Sequence, residues 1–149
     1  MRRLLLLVAA LFLIQPVPAQ EKNAALHQLF DTQWQRGLRD YPENAAFYGD
    51  NRYNGLWTDM SLAAIKAREA GDRDALARLQ AIDRSRLSAA DQLNYDTFEW
   101  QLKQSIARQA FREYLMPMSH QGGVQTADGL QELLAFNTEK DYRDWLARL

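Results

Sequence analysis

One long helical segment, residues 87–111, constrains what this chain can fold into more than any other stretch. Ser88 can cap its start through the side-chain hydroxyl, and Asp91 places a negative charge in the first turn. At about 100° per residue, its apolar side chains fall on two opposite sides of the helix. One side holds Leu93, Trp100, Ala107 and Phe111, and the other holds Tyr95, Phe98, Leu102 and Ile106. A surface helix buries one apolar stripe, so two opposed stripes predict a central helix that is packed on both sides.

Three patterns before this segment also predict helices. In residues 23–41 the apolar side chains share one half of the helical wheel. Residues 42–49 begin with a proline, which suits the first turn of a short helix, and end with a glycine, which suits its stop. Ser61 caps a third pattern, residues 62–82, which keeps one apolar face. Gly71 interrupts the middle of this pattern, which is therefore either one helix with a weak point or two joined helices.

Two shorter patterns follow the long segment. Residues 128–136 read as a short helix, and Thr138 caps a last one, with Asp141 three residues on. The links between these amphipathic segments are short, which favours antiparallel neighbours, and no segment has the period of a strand. The sequence predicts an all-α fold, an irregular antiparallel helical bundle over residues 20–149. Because the last amphipathic pattern stops without a cap at Leu149, we expect this bundle to be incomplete, the N-terminal portion of a larger helical protein.

Residues 1–19 have the three parts of a signal peptide. Two arginines form a short positive region, residues 4–14 are an unbroken apolar run, and small residues precede a cleavage point between Ala19 and Gln20. The alternative is an N-terminal membrane anchor, for which the apolar run is short. We expect export to a bacterial periplasm, with no membrane contact after the signal is cleaved.

Charge and cysteine content exclude several partners and kinds of site. The whole chain has a net charge of −1, and without the leader 16 Lys and Arg face 19 Asp and Glu, a net charge of −3. This balance lacks the basic footprint of a nucleic-acid-binding protein, so we expect no nucleic acid partner. The chain contains no cysteine, which excludes disulfides, thiolate nucleophiles, cysteine-ligated metal sites and a lipobox anchor.

The chain carries no recognisable catalytic motif. It has no His-Glu-x-x-His zinc motif, no phosphate-binding loop, no Gly-x-Gly-x-x-Gly and no Gly-x-Ser-x-Gly elbow. His27 lies at the edge of an apolar stripe, and no carboxylate or second histidine is spaced to join it. This favours a packed or partly exposed histidine over a metal ligand. The sequence therefore predicts no catalytic residue, no metal ligand and no cofactor in this chain.

Two polar, turn-forming loops hold the candidate substrate-contact residues. These residues are Asn51, Arg52, Tyr53, His120, Gln121, Gly122 and Gly123. The first loop is flanked by aromatic residues, so it either lines a polar substrate cleft or seals a loop over the core. The second loop is either a ligand site, because its glycines let a ligand approach the main chain, or a plain loop.

Several short stretches, taken together in order and spacing, resemble one bacterial family. The stretches are Phe30-Asp31 with Trp34, Tyr41-Pro42-Glu43, Gly49-Asp50-Asn51-Arg52-Tyr53, Asp59-Met60-Ser61, Ile82-Asp83, Leu87-Ser88, Asp91-Gln92-Leu93-Asn94-Tyr95-Asp96, Pro117, Gly122-Gly123, Thr138 with Asp141-Tyr142, and Arg148-Leu149. They resemble the N-terminal part of the family called domain of unknown function 885. The similarity spans nearly all of the mature chain.

The resemblance implies an exported, all-helical protein much longer than this chain and similar to gluzincin-type zinc metallopeptidases. In such proteins a His-Glu-x-x-Pro-Gly-His-like motif in the C-terminal half would hold zinc, and zinc-activated water would attack a peptide carbonyl. None of those residues exists here, so zinc is expected only in the full-length family and this chain is expected to be inactive alone. Its partners would be the missing C-terminal region and a peptide substrate, and it would form a wall of the substrate channel.

The alternative function is a self-standing periplasmic helical module for binding or interaction, without enzymatic activity. The DNA after the Leu149 codon discriminates between the two functions, because only the first requires a His-Glu motif further along the frame. As a portion of a larger protein, the chain should also expose apolar surface where the missing helices dock.

Overall fold

The structure, a computed structural model, describes residues 23–120 and 122–149, and these residues form an all-α fold. Its α-helices are α1 (Ala24–Asp40), α2 (Pro42–Phe47), α3 (Leu62–Gln80), α4 (Ala89–Arg108) and α5 (Glu139–Arg148). Short 3₁₀ segments occupy Asn51–Tyr53, Arg84–Arg86, Gln109–Phe111, Glu113–Leu115 and Val124–Leu133. The predicted all-α fold is confirmed, whereas the predicted signal peptide, residues 1–19, lies outside the described residues.

Helices α3 and α4 form an antiparallel hairpin. Side-chain hydrogen bonds pair Asp72 with Ser105 at 2.6 Å and Gln80 with Glu99 at 3.2 Å. The partner's number falls on α4 as the residue number rises on α3, so the two helices run in opposite directions. This is the arrangement that the short link between them predicts.

The core lies where the α3–α4 hairpin meets α1. Its buried side chains come from these three helices and the α3–α4 link, and they are Leu26, Leu29, Ala75, Leu79, Leu87, Tyr95 and Leu102. At its edge, the Phe30 ring of α1 meets the Phe98 ring of α4 edge-on, with 5.3 Å between the centroids. These helices bury one stripe each. Within the part of the chain that the structure describes, no helix is long and apolar enough to cross a membrane.

The helices begin at the predicted capping residues. The hydroxyls of Ser61, Ser88 and Thr138 each accept a hydrogen bond from the amide three residues later, which satisfies a free N–H group of the first turn. The Asp141 carboxylate in turn accepts from the Thr138 N–H at 2.8 Å, which completes a capping box. Helix α3 runs through Gly71 without a break, so the alternative of one continuous helix is confirmed.

Gly71 leaves space for the Arg36 side chain of α1 beside α3. A Cβ atom at this position would lie 2.0 Å from Nη1 of Arg36, so a larger residue would displace the Arg36 side chain. The Arg36 guanidinium donates to one carboxylate oxygen of Asp72, and the other oxygen accepts from Ser105 Oγ at 2.6 Å. One carboxylate on α3 therefore links α1 to α4.

Only one side of α4 is buried, so the predicted packing on both sides is wrong for the described chain. Tyr95 and Leu102 lie in the core, whereas Leu93, Trp100 and Phe111 are 68%, 63% and 76% exposed. The reason is that the other core helices lie on the Tyr95 side, and no described element covers the opposite side. We call Leu93 and Trp100, together with Phe111 just after the helix, the exposed face of α4.

The segment after α4 also differs from the prediction. The long helix ends at Arg108, and Phe111 lies in a 3₁₀ turn that follows it. The segment predicted as a helix over residues 128–136 is instead a 3₁₀ segment, Val124–Leu133. A glycine within this segment and β-branched residues in its first turn lower its α-helix propensity, which accounts for the difference.

Replacing Leu79 by alanine should lower the free energy of unfolding by about 2–5 kcal/mol, because the change leaves a cavity in the core. Leu79 is fully buried, whereas Leu62 on the same helix is 59% exposed. The control Leu62→Ala should therefore change the free energy of unfolding by no more than about 0.5 kcal/mol. Chemical denaturation followed by circular dichroism measures both variants, and equal losses would contradict the position of the core.

Candidate functional site

The first predicted loop forms a 3₁₀ turn, Asn51–Tyr53, whose arginine is held in place by its neighbours. The side chain of Arg52 donates to both oxygens of Asp50 at 2.5 to 3.0 Å and to Oε1 of Gln35 at 2.8 Å. Its guanidinium carbon lies 5.3 Å from the centre of the Tyr53 ring. The hydrogen bonds from Arg52 lower the pKa of the Asp50 carboxyl, and the carboxylate in turn raises the pKa of Arg52. The arginine is exposed but oriented.

The second predicted loop closes on itself through backbone hydrogen bonding. Residues Met118 and Gly123 form an isolated antiparallel bridge, and Ser119 N–H donates to the carbonyl of Gly122 at 2.8 Å. Gly123 has a φ of +146°, and a Cβ atom there would lie 2.5 Å from the Pro117 carbonyl oxygen. The close approach that this glycine permits is therefore to its own loop.

The structure does not join the two predicted loops into one site. His120 is exposed, and Gln121 lies outside the described residues. Among residues 23–120 and 122–149, no hydrogen bond or ion pair links the turn 51–53 to His120, Gly122 or Gly123. The substrate-contact role of these seven residues stays a prediction.

A buried arginine at the end of α5 anchors that helix beside the first loop. The exposed fraction of Arg148 is 6%, and its guanidinium donates to the carbonyls of Leu56 at 2.9 Å and Tyr53 at 3.3 Å. In return, Nε1 of Trp57 donates to the Arg148 carbonyl at 2.8 Å. Burial lowers the pKa of Arg148, an effect that the nearby Glu43 and Asp144 carboxylates oppose. Trp57 thus lies against α5, which favours the interpretation that this loop seals a packed region.

A histidine and a carboxylate join the starts of α1 and α4. Nε2 of His27 lies 2.8 Å from Oδ1 of Asp91, and Oδ2 accepts from the Asn23 N–H at 3.2 Å. These hydrogen bonds, from Asn23 first and His27 second, lower the pKa of the Asp91 carboxyl. The interpretation of His27 as a packed, partly exposed residue is confirmed. The reason given for that interpretation is wrong, because the carboxylate of Asp91, 64 residues away in sequence, does contact His27.

A groove of about 740 Å³ lies between α3 and α4 and is bordered by residues 113–117. We call it the α3–α4 groove. Its lining combines aromatic and apolar side chains with amides and charges: Tyr41, Met60, Ile65, Arg68, Glu69, Asp72, Trp100, Gln101, Gln104, Ser105, Arg108, Gln109, Glu113, Tyr114, Met116 and Pro117. None of the predicted contact residues that the structure describes lines it. Sequence reasoning missed this groove because each lining residue reads separately as part of a solvated helix flank.

A second groove, of about 550 Å³, lies between α1 and α3. Its cations Arg36, Arg39 and Arg78 each pair with a neighbouring aspartate, at distances up to 4.0 Å. With its charges paired in this way, the groove has the character of a polar surface between helices. Within the described ranges, no cluster of three or more His, Asp or Glu residues could hold a metal ion.

A family model described as bacterial protein of unknown function (DUF885) matches residues 42–149. This chain belongs to the DUF885 family. The family resemblance inferred from the sequence is therefore confirmed. Comparison with curated proteins and with solved structures finds no match. The match of this DUF885 chain contains α2 to α5 and every lining residue of the α3–α4 groove except Tyr41, whereas α1 precedes it.

Replacing Asp91 by asparagine should lower the thermal unfolding midpoint at pH 7 and weaken the dependence of stability on acid pH. The lowered pKa of Asp91 means that its ionised form stabilises the fold above the pKa of the unfolded state, and this stabilisation is lost as the pH falls through the folded-state pKa. The difference between wild type and Asp91→Asn should therefore shrink below about pH 4. Thermal scans at pH 7 and through the acid range measure this difference in the unfolding midpoint.

The matched control for this variant is Asp31→Asn, since Asp31 is exposed on α1. Its midpoint should follow that of the wild type at every pH. A midpoint difference for Asp91→Asn that stays constant into strong acid would contradict the role of the Asp91 carboxylate.

Replacing Arg148 by lysine should loosen α5, because an ammonium group cannot donate in the same fork to the carbonyls of Leu56 and Tyr53. Loss of a buried, charge-assisted hydrogen bond costs about 2 kcal/mol. Native-state hydrogen exchange of the α5 amides measures the loss. The control Arg143→Lys changes an exposed arginine on the same helix, paired at the surface with Glu139, and should leave the exchange of α5 nearly unchanged. Equal exchange in the two variants would contradict the anchoring role of Arg148.

Proposed function

We propose that this chain is the N-terminal helical scaffold of an exported, zinc-dependent peptidase-like protein. In this proposal it forms one wall of the substrate channel and supplies no catalytic residue. Membership of the DUF885 family and the exposed face of α4 support the proposal. The family is described as having unknown function, so the peptidase activity in this proposal comes from the sequence resemblance.

The observation that carries the scaffold role is the position of α4 between a core and an uncovered apolar side. Tyr95 and Leu102 pack into the core, and Leu93, Trp100 and Phe111 remain exposed on the other side. Large apolar side chains that share one exposed face are typical of a surface that another structural element or a ligand covers. A helix in the middle of a larger protein has this pattern.

The described residues of this chain do not fit a zinc site. In the described residues His27 is bonded to Asp91, and no cluster of three or more metal-binding side chains is present. In this proposal the zinc ligands and the general base therefore belong to another part of the same protein. The residues of this chain orient and surround the substrate, and no chemical step is assigned to them.

A second candidate is a self-standing periplasmic binding module without enzymatic activity. The α3–α4 groove favours it, because a groove of about 740 Å³ lined by both apolar and polar side chains can hold a ligand. A ligand could occupy that groove without any further domain. The two candidates differ in whether zinc and hydrolysis belong to the complete gene product.

The experiment is to read the frame beyond the Leu149 codon, express the complete gene product and recover it from the periplasm. We expect a His-Glu zinc motif in the frame, a mature N-terminus at Gln20, one tightly bound zinc per molecule and peptide hydrolysis that a chelator abolishes. The control variant replaces the glutamate of that motif by glutamine, which should keep zinc and lose hydrolysis. A stop codon directly after Leu149 in the intact gene would overturn the scaffold role and leave the binding module.

A further inference from the structure

We propose that the α3–α4 groove binds a polypeptide segment that carries a basic side chain next to an apolar one. This inference rests on the proposed function, in which the chain lines a substrate channel, and it assigns the contact to this groove. Three properties of the lining support it: unpaired amides, uncovered apolar side chains and the pattern of ion pairs.

The first property is a pair of free primary amides on α4. Gln101 and Gln104 are one turn apart, both are exposed, and neither side chain has a hydrogen-bond partner among the described residues. A primary amide offers one carbonyl acceptor and two N–H donors. That combination matches the N–H and C=O groups that an extended peptide presents along its backbone. The groove therefore offers hydrogen bonds suited to a peptide main chain.

The second property is the apolar lining beside these amides. Trp100 on α4 and Met116 in the bordering segment are 63% and 80% exposed, and Tyr114 is half-buried. Aromatic and methionine side chains provide large contact areas, and methionine adapts its shape to different partners. A bulky apolar side chain of a peptide would cover these residues and gain from their removal from water.

The third property is the distribution of charge in the groove. Arg68 donates to the Asp59 carbonyl at 2.8 Å and lies over the Tyr41 ring, and Arg108 pairs with Glu113. The carboxylate of Glu69, by contrast, has no hydrogen bond or ion pair with any described residue. The lining carries three carboxylates against two arginines, and Glu69 is the carboxylate that no described residue pairs, so a basic side chain on the ligand complements this arrangement.

The test measures binding of three synthetic peptides to the purified full gene product by titration calorimetry, with a chelator present so that no hydrolysis occurs. The probes are acetyl-Ala-Lys-Phe-Ala-amide and the matched peptides with glutamine or glutamate in place of lysine. We expect the lysine peptide to bind best and the glutamate peptide to bind worst. Replacing Glu69 by glutamine should weaken the lysine peptide about fivefold and leave the glutamine peptide unchanged.

Two further variants locate the site. The double change Gln101→Ala and Gln104→Ala should weaken the lysine and glutamine peptides alike, by about tenfold, because both lose main-chain hydrogen bonds. The matched control is Glu132→Gln, an exposed carboxylate outside the groove, which should bind every peptide as the wild type does. Circular dichroism of each variant confirms that it is folded.

Three results would overturn the inference: equal affinity for the lysine and glutamate peptides, no binding at millimolar peptide, or a second copy or another part of the protein already occupying the groove. Acrylamide quenching of fluorescence in the unliganded protein tests whether the groove is already occupied, because an occupied groove would shield Trp100 from the quencher. The contribution of Trp100 is the difference between the wild type and a Trp100→Phe variant. The result of this binding test can be distinguished from the result of the test of the proposed function. Glu69-dependent binding without zinc-dependent hydrolysis would support this inference and contradict the peptidase.

Discussion

The carboxylate of Asp72 is the contact on which the arrangement of the three long helices depends. It accepts from Arg36 of α1 and from Ser105 of α4, and Gly71 beside it provides the space for the arginine. Both grooves adjoin this contact, since Asp72 lines the α3–α4 groove and Gly71 lines the groove between α1 and α3. The two grooves therefore adjoin one side-chain network, and we expect a change that breaks this network to affect both.

The two faces of α4 differ in role: one contributes to stability, and the other is available for the proposed peptide contact. Tyr95 and Leu102 contribute to the core, whereas Trp100 borders the α3–α4 groove from the exposed face. Apolar burial is non-directional, so it fixes how tightly α4 is held without specifying a ligand. The amides and charges beside Trp100 form directional interactions, which can specify a ligand. The proposed peptide contact uses Trp100, Gln101 and Gln104, which are exposed, so we expect substitutions of these three residues to affect binding more than folding.

Local features of the sequence predicted the helices well, whereas contacts between distant parts of the chain could not be predicted from them. Ser61, Ser88 and Thr138 were recognisable as caps because a cap interacts with a residue only three positions away. The His27–Asp91 contact joins residues 64 apart, and a helical wheel carries no information at that distance. The wheel of α4 likewise placed Leu93 and Trp100 opposite Tyr95 and Leu102, and it could not tell that the rest of the described chain covers only the Tyr95 side. The groove was missed for the same reason, because its walls come from separate segments.

The contacts that hold α5 join parts of the chain that are further apart than those joined at the edge of the core. Trp57 and Arg148 are 91 residues apart, whereas the core-edge residues Phe30 and Phe98 are 68 apart. The entropic cost of closing a loop rises with the length of the loop. In addition, α5 contributes no side chain to the core cluster. We therefore expect α5 to detach first, under conditions that leave the α1–α3–α4 core intact, because its loss exposes none of the core cluster.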